Sequence, residues 1–360
     1  MRYKVIGVMS GSSLDGLDIA FVEFEENAGK WTFNLLNSTC DPYDINWSGR
    51  LKEAINLNAL DYQLLDVEYG HYVGQKINAF IKNNHIDHQV NFIAVHGHTT
   101  FHLPHKKLTH QMGNGAAIAA VTGLLVVSDL RAMDVALGGQ GAPIVPVGEK
   151  LLFPDFNSFL NIGGIANISF RKNDHFIAFD VCPANKVLNM LAGKVGKDYD
   201  KNGSLSAIGK VNNELLKILN GQEFYTLTPP KSLANSFGSD VIFNIIESFQ
   251  LTAEDALATY TEHIAIQIFN VFQFKTEPQQ LFISGGGAFN TFLMERIKNL
   301  LAKQNIKVYL PSADIINYKE AIIMALIGTL RWREQFNVYS SVTGASRNSI
   351  GGALWLGTDA

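Results

Sequence analysis

Apolar positions along the chain fall into short alternating or continuous stretches, punctuated by glycine, asparagine and aspartate. Period-two alternation predicts paired strands over residues 3–9 and 17–24 and a third over 31–38. Residues 60–82 carry a period near 3.6, which predicts a long helix with Leu64, Leu65, Val67, Tyr72, Val73, Ile77 and Phe80 available for one face. "NFIAVHG" (91–97) and "GLLVVSD" (123–129) read as buried strands, with a short glycine-closed helix over 115–123 between them.

The pattern then restarts. "SFLNIGGIANISF" (158–170) reads as a second glycine-tipped hairpin, after the first at "GVMSGSSLDGLD" (7–18). A strand over 175–180 leads into a helix beginning near Pro183. Helical patterns cover 205–219, 240–250 and 253–274. "QLFISGGGAFNTFLMERI" (280–297) is strand, glycine turn and helix; 307–311 is a strand and 317–333 a helix. Each half thus opens on a glycine-bearing hairpin and continues as alternating β and α. That predicts an α/β protein of two similar lobes around a cleft, an N-terminal lobe over 1–130 and a C-terminal lobe over 131–360. The boundary falls near 129–145, joined by structured crossings, and the extreme C-terminus is free to return to the first lobe.

Composition narrows the class. The chain has 360 residues, 47% hydrophobic and 17% charged, which describes a globular protein with a large core. A net charge of -4 offers no bulk attraction to nucleic acid or anionic membrane. The two cysteines, Cys40 and Cys182, form no CxxC, as suits a reducing cytoplasm. The chain runs from Met1 straight into a strand without a signal-peptide pattern, and its longest apolar-rich stretch is too short for a bilayer span. The expectation is a cytoplasmic protein without membrane or nucleic-acid partners.

The candidate chemistry lies at strand ends. The first hairpin tip clusters backbone amides and hydroxyls, which can form an anion-binding nest or merely a solvated turn. Neither GxxxxGK[ST] nor a complete GxGxxG occurs, so a P-loop and a Rossmann fingerprint are both excluded. Five of ten histidines sit in "HGHTTFHLPHKKLTH" (96–110), where His96 and His98 share a strand face. That pair suits a zinc site or, more simply, a polar cleft wall. In "SDLRAMDVALGGQGAPIVP" (128–146), Asp129, Arg131 and Asp134 follow a buried strand; Arg131 can clamp a sugar hydroxyl or carboxylate, or form a surface salt bridge. Asp180 in "FDVCPAN" has the place of a general base or of a capping carboxylate, and Cys182 beside it is a nucleophile with no assigned base. Glu320 reads as a first-turn residue of the helix at "YKEAIIMALIG", suited either to the helix dipole or to orienting a ligand hydroxyl.

The succession "GVMSGSSLDGLDIAFVEF", "AVHGHTTFHLP", "SDLRAMDVALGGQGAPIVP", "LNIGGIANIS", "FDVCPAN", "GKDYDKNGS", "ISGGGAFNTFLMERI" and "KEAIIMALIG" resembles the anhydro-N-acetylmuramic acid kinases, in order and over nearly the whole chain. The resemblance implies the two-lobed, ribonuclease H-like fold of sugar kinases, actin and chaperone ATPases, with ATP and Mg²⁺. It implies that Gly11, Ser12, Ser13, Leu14, Asp15, Gly16, Leu17 and Asp18 wrap the phosphates with Gly163 and Gly164, that Gly285, Gly286, Gly287 and Asn290 support the nucleoside, and that Asp15 or Asp18 holds the metal through water. It implies a sugar site of His96, Gly97, Thr99, Arg131 and Glu320, with Asp180 as the base that activates a water to open the anhydro bridge. A homodimer is compatible with it. The chain departs from the family pattern at four places: His98 replaces the glutamine of HGQT, Asn114 the aspartate after Gly113, DVCPAN replaces DTGPGN, and "KSLANSFGSD" (231–240) lacks the arginine of KSTGRE. Two other readings therefore stay open, a kinase of another 1,6-anhydrosugar such as levoglucosan and a nucleotide-binding relative without turnover.

Overall fold

The computed structural model describes residues 1–11, 14–172, 175–229, 231–234, 236–272 and 280–357, and of Lys172 and His175 the backbone alone. In chain order the strands are β1 (Arg2–Ser10), β2 (Gly16–Asn27), β3 (Lys30–Pro42), β4 (Phe92–Leu103), β5 (Leu108–Met112), β6 (Val126–Ser128), β7 (Ser158–Ile162), β8 (Ile165–Lys172), β9 (His175–Pro183), β10 (Gln280–Ser284), β11 (Lys307–Tyr309) and β12 (Ala353–Trp355). The principal helices are α1 (Ala59–Asn83), α2 (Gly115–Thr122), α3 (Asn185–Gly193), α4 (Ala253–Val271), α5 (Thr291–Leu301) and α6 (Ala313–Trp332). The chain forms two compact units, one of Met1–Pro154 with the chain from Tyr318 onward, the other of Asp155–Asn317.

The first unit is built on a sheet in the order β12-β6-β4-β1-β2-β3, with β5 paired to β4. β1, β2 and β3 form an antiparallel meander, whereas β4 and then β6 run parallel to β1. Helix α1 starts at Asn58, whose side chain accepts from the amides of Leu60 and Asp61, both at 3.0 Å. Its buried face is Tyr62, Leu65, Tyr69, Val73, Ile77 and Phe80, packed on Ile6, Val8, Ile19 and Phe21 of the sheet. Leu64 and Val67 turn outward instead, because a spacing of three or four residues from Leu65 and Tyr69 excludes them.

The second unit repeats the plan. Its sheet runs β11-β10-β7-β8-β9, again an antiparallel meander (β7, β8, β9) extended by strands parallel to its first member. Leu160, Ile162, Leu281 and Ile283 pack with Val187 and Leu191 of α3, Leu257 and Ile264 of α4, and Leu293 and Ile297 of α5. The duplicated hairpin-first pattern is therefore a duplicated sheet topology. The helix expected over 205–219 is two, Ser204–Ile208 and Asn213–Asn220, broken at Gly209, where a Cβ would strike the Glu254 carbonyl. Among the described residues no helix is long and apolar enough to cross a membrane.

Candidate active site

Because β1, β4 and β6 are parallel, the ends of all three lie on one edge of the first sheet. Ser10 ends β1 opposite His98. Its hydroxyl lies 3.1 Å from His98 Nδ1 and accepts from Tyr43 at 2.8 Å; the Tyr43 and Tyr69 hydroxyls meet at 2.5 Å. Burial pushes the Tyr69 hydroxyl up to about 12 and His98 down to about 4, so the cluster is neutral at physiological pH. The register shift in β4 falls at Gly97, which has φ +79° and where a Cβ would come 2.5 Å from the Met112 carbonyl oxygen. Thr99, the next residue but one, is exposed.

Arg131 follows β6 and is no surface salt bridge. Its Nε–H donates to His96 Nε2 at 2.8 Å and its Nη1 to the Gly141 carbonyl at 2.6 Å. Burial lowers the guanidinium to about 10, partly offset by the field of Glu320, so it stays charged. Burial, with Arg131 beside it, holds His96 down to about 3. Both histidines thus have protein partners, and among the described residues no group of three or more His, Cys, Asp or Glu comes together to hold a metal. Glu320 is half-buried and is not in a first turn: α6 begins at Ala313, seven residues earlier, so the helix dipole does not account for it.

The β1–β2 turn contains Gly11, Leu14 and Asp15; Ser12 and Ser13 lie outside the described residues. The Leu14 amide donates to the Gly11 carbonyl at 3.4 Å, and Leu14 has φ 58°. Gly16 and Leu17 are buried at the start of β2. Asp18 is half-buried, and its carboxyl is pushed up to about 6, chiefly by burial and further by Asp15 and Glu320, against the lowering bond from the Cys40 thiol. The Cys40 residue is exposed, but partial desolvation of its thiol and the neighbouring Asp18 push the thiol up to about 12.

In the second unit β7 and β10 are parallel, which puts both glycine turns at one sheet edge. The Gly163 and Gly164 carbonyls accept from the amides of Asn185 and Ala184, at 3.0 and 2.8 Å, and so cap the start of α3. A Cβ on Gly163 or Gly164 would meet nothing nearer than 3.6 or 3.8 Å, and one on Gly286 nothing nearer than 3.6 Å. Gly285 is different: φ is +82° and a Cβ would strike Asn161. A Cβ on Gly287 would strike Ile162. Asn290 serves the helix, its Oδ1 accepting from the Leu293 amide at 3.0 Å as the N-cap of α5.

Asp180 lies in β9, half-buried. Its amide donates to the Lys231 carbonyl at 3.0 Å, and its Oδ2 accepts from the Leu233 amide at 2.8 Å. Burial raises its pKa, and the Leu233 bond opposes that only in part. It caps no helix. Cys182 is fully buried and its thiol is driven upward by burial and by Asp180, so it has no thiolate to offer as a nucleophile. The anchoring of Asp180 by residues 231–233 was not visible in the sequence, since a backbone amide 53 positions away leaves no side-chain signature.

A family model described as anhydro-N-acetylmuramic acid kinase matches residues 3–357. The chain belongs to the anhydro-N-acetylmuramic acid kinase family. Relatives of that name are 32% identical in Sulfurimonas denitrificans (97% of this chain, 98% of the relative), 31% in Shewanella loihica (99% of each) and 32% in Francisella tularensis subsp. novicida (98% and 99%). Among solved structures, component A of (R)-2-hydroxyglutaryl-CoA dehydratase from Acidaminococcus fermentans is 13% identical with a TM-score of 0.47, over 90% of this chain and 96% of its own. The family membership spans the altered DVCPAN and KSLANSFGSD segments, so those departures do not favour a levoglucosan kinase or an inactive relative.

Proposed function

We propose that the protein is an ATP-dependent kinase that opens the 1,6-anhydro bridge of anhydro-N-acetylmuramic acid and places the phosphoryl group on O6. The product is N-acetylmuramic acid 6-phosphate, an intermediate of peptidoglycan recycling in the cytoplasm. The observation that carries the reading is Asp180: one carboxylate oxygen is pinned by the Leu233 amide, and burial raises the group's basicity. Asp180 takes a proton from water, the water oxygen bonds to C1, and the C1–O6 bond breaks with its electron pair on O6. O6 then attacks the γ-phosphorus and ADP leaves. An anhydrosugar has no O6 hydroxyl to deprotonate, which is why the base serves water. Arg131 and Glu320 hold the sugar.

ATP is read onto the two glycine turns of the second unit, after β7 and β10. Gly163, Gly164 and Gly286 support this, because nothing in the described chain requires a residue without a side chain there, whereas a phosphate or ribose in contact would. The residues also fit a cation: burial raises the Asp18 pKa and the nearby charge of Asp15 raises it further, and either carboxylate would hold Mg²⁺ through water. When bound, Mg²⁺ supplies screening of the phosphate charges.

The test is the reaction in ¹⁸O-water, with early product read by mass spectrometry. One labelled oxygen at C1 and an unlabelled C6 ester oxygen are expected. Early product without label, its bridge intact, would show an ordinary kinase acting on an existing hydroxyl.

A further inference from the structure

We infer that His96 does not touch the sugar but positions Arg131, the group that does. The inference takes what Arg131 holds from the proposed kinase reading; the clamp itself stands apart from that reading. A guanidinium only donates, so the nitrogen it faces must carry a lone pair. Arg131 Nε–H points at His96 Nε2, 2.8 Å away, and the ring proton must therefore sit on Nδ1. Nδ1 is matched to an acceptor, the Gly97 carbonyl at 2.7 Å. A neutral imidazole has one donor and one acceptor, and both are taken. The residue is also only 3% exposed. No hydrogen-bonding capacity is left for a substrate hydroxyl.

The backbone sets this state. The left-handed conformation of Gly97 (φ +79°), in a place where a side chain would crowd Met112, turns its carbonyl back to the preceding ring. On the other side of the guanidinium, Nη1 donates to the Gly141 carbonyl, and the Gly141 amide in turn donates to Asp134 Oδ2 at 2.8 Å. Asp134 is fully buried, and its second oxygen accepts from the Thr343 hydroxyl at 2.7 Å. Two of the five guanidinium protons are used in this way. The two bonds fix the plane of the group and, among the described residues, leave Nη2 to a ligand.

Two measurements decide the matter. The first is ¹⁵N NMR of the wild-type protein without ligands at pH 7.5. His96 is expected as the Nδ1–H tautomer, with an Arg131 Hε signal slow enough in exchange to be seen. In His96→Ala or the smaller change His96→Asn, that signal exchanges at least about tenfold faster. An Nε2–H tautomer, or an Arg131 signal indifferent to both variants, overturns the inference. The second is a double-mutant cycle on turnover. His96→Ala raises KM for the anhydrosugar about tenfold or more with kcat within about threefold, and His96→Gln, whose amide oxygen reaches the place of Nε2, restores KM to within about threefold. In an Arg131→Ala background His96→Ala adds less than about twofold. Equal effects in the two backgrounds would mean a direct sugar contact. If the wild type turns over no anhydrosugar, the kinase reading fails, and the NMR experiment still judges the clamp.

Discussion

At the scale of single residues, two carboxylates, Asp180 and Asp18, lie where burial favours the neutral form. Asp180 is proposed to work as an anion, yet burial favours its neutral form. Asp180→Asn keeps an oxygen that accepts from the Leu233 amide, so the loop at 231–233 and the melting temperature should hold while kcat falls by about 10²-fold or more. Steady-state kinetics beside thermal denaturation check both halves, and activity within about threefold of wild type assigns the base elsewhere. Asp18 is a stability group. Its pKa rises on folding from 3.8 to about 6, so the folded state binds the proton more tightly than the unfolded state. Its favourable contribution is complete below pH 4 and is lost as pH rises through 6. Asp18→Asn should therefore be nearly neutral at pH 4 and stabilising at pH 7.5, by on the order of 1 to 2 kcal/mol after solvent screening. Urea titrations in metal-free buffer at the two pH values measure the difference; an equal effect at both pH values would remove ionisation as its source.

At the scale of elements, the glycines separate into those the chain needs and those it does not. Gly97 is needed for the bulge in β4: its φ is left-handed and a Cβ would crowd Met112. Gly97→Ala should cost about 2 kcal/mol or more in urea unfolding. Gly164 has neither constraint, since the nearest atom to a Cβ is 3.8 Å away. Gly164→Ala should leave the urea midpoint unchanged and raise KM for ATP by about tenfold. A Gly164 variant that unfolds early with ATP affinity intact would make that turn purely structural. The same division explains why a glycine-rich stretch is ambiguous in sequence: the reason for a glycine is a neighbour that can belong to a distant strand, as Ile162 does for Gly287.

At the scale of the molecule, the chain leaves the first unit at Pro154 and re-enters it at Tyr318, within α6. The return is secured at its far end by β12, antiparallel to β6, with the Trp355 indole N–H donating to the Ser128 hydroxyl at 3.0 Å. Ending the chain at Gly352 should speed amide exchange in β6 and α2, which β12 and Trp355 cover, and leave β7 and β10 of the second unit as protected as before. Hydrogen exchange read by mass spectrometry distinguishes this from a loss of protection throughout, which would mean that the two units unfold as one.

The sequence by itself determined most elements and their order. Hydrophobic period is a local property, and β1, β2, β7, β8, α1 and α4 announce themselves by it, as does the hairpin-first repeat that became two sheets of one topology. It also placed the chemistry-bearing residues at strand ends. Only the tertiary structure decided what those residues do. Arg131 was free in sequence to be a surface ion and is instead held by His96 and Gly141; Cys182 was free to be a nucleophile and is sealed in the core. Glu320 lost its place in a first turn because α6 starts earlier than its apolar stretch shows. Hydrogen-bond partners, desolvation and the point where a chain passes between units depend on residues brought together from far apart, and local pattern carries no record of them.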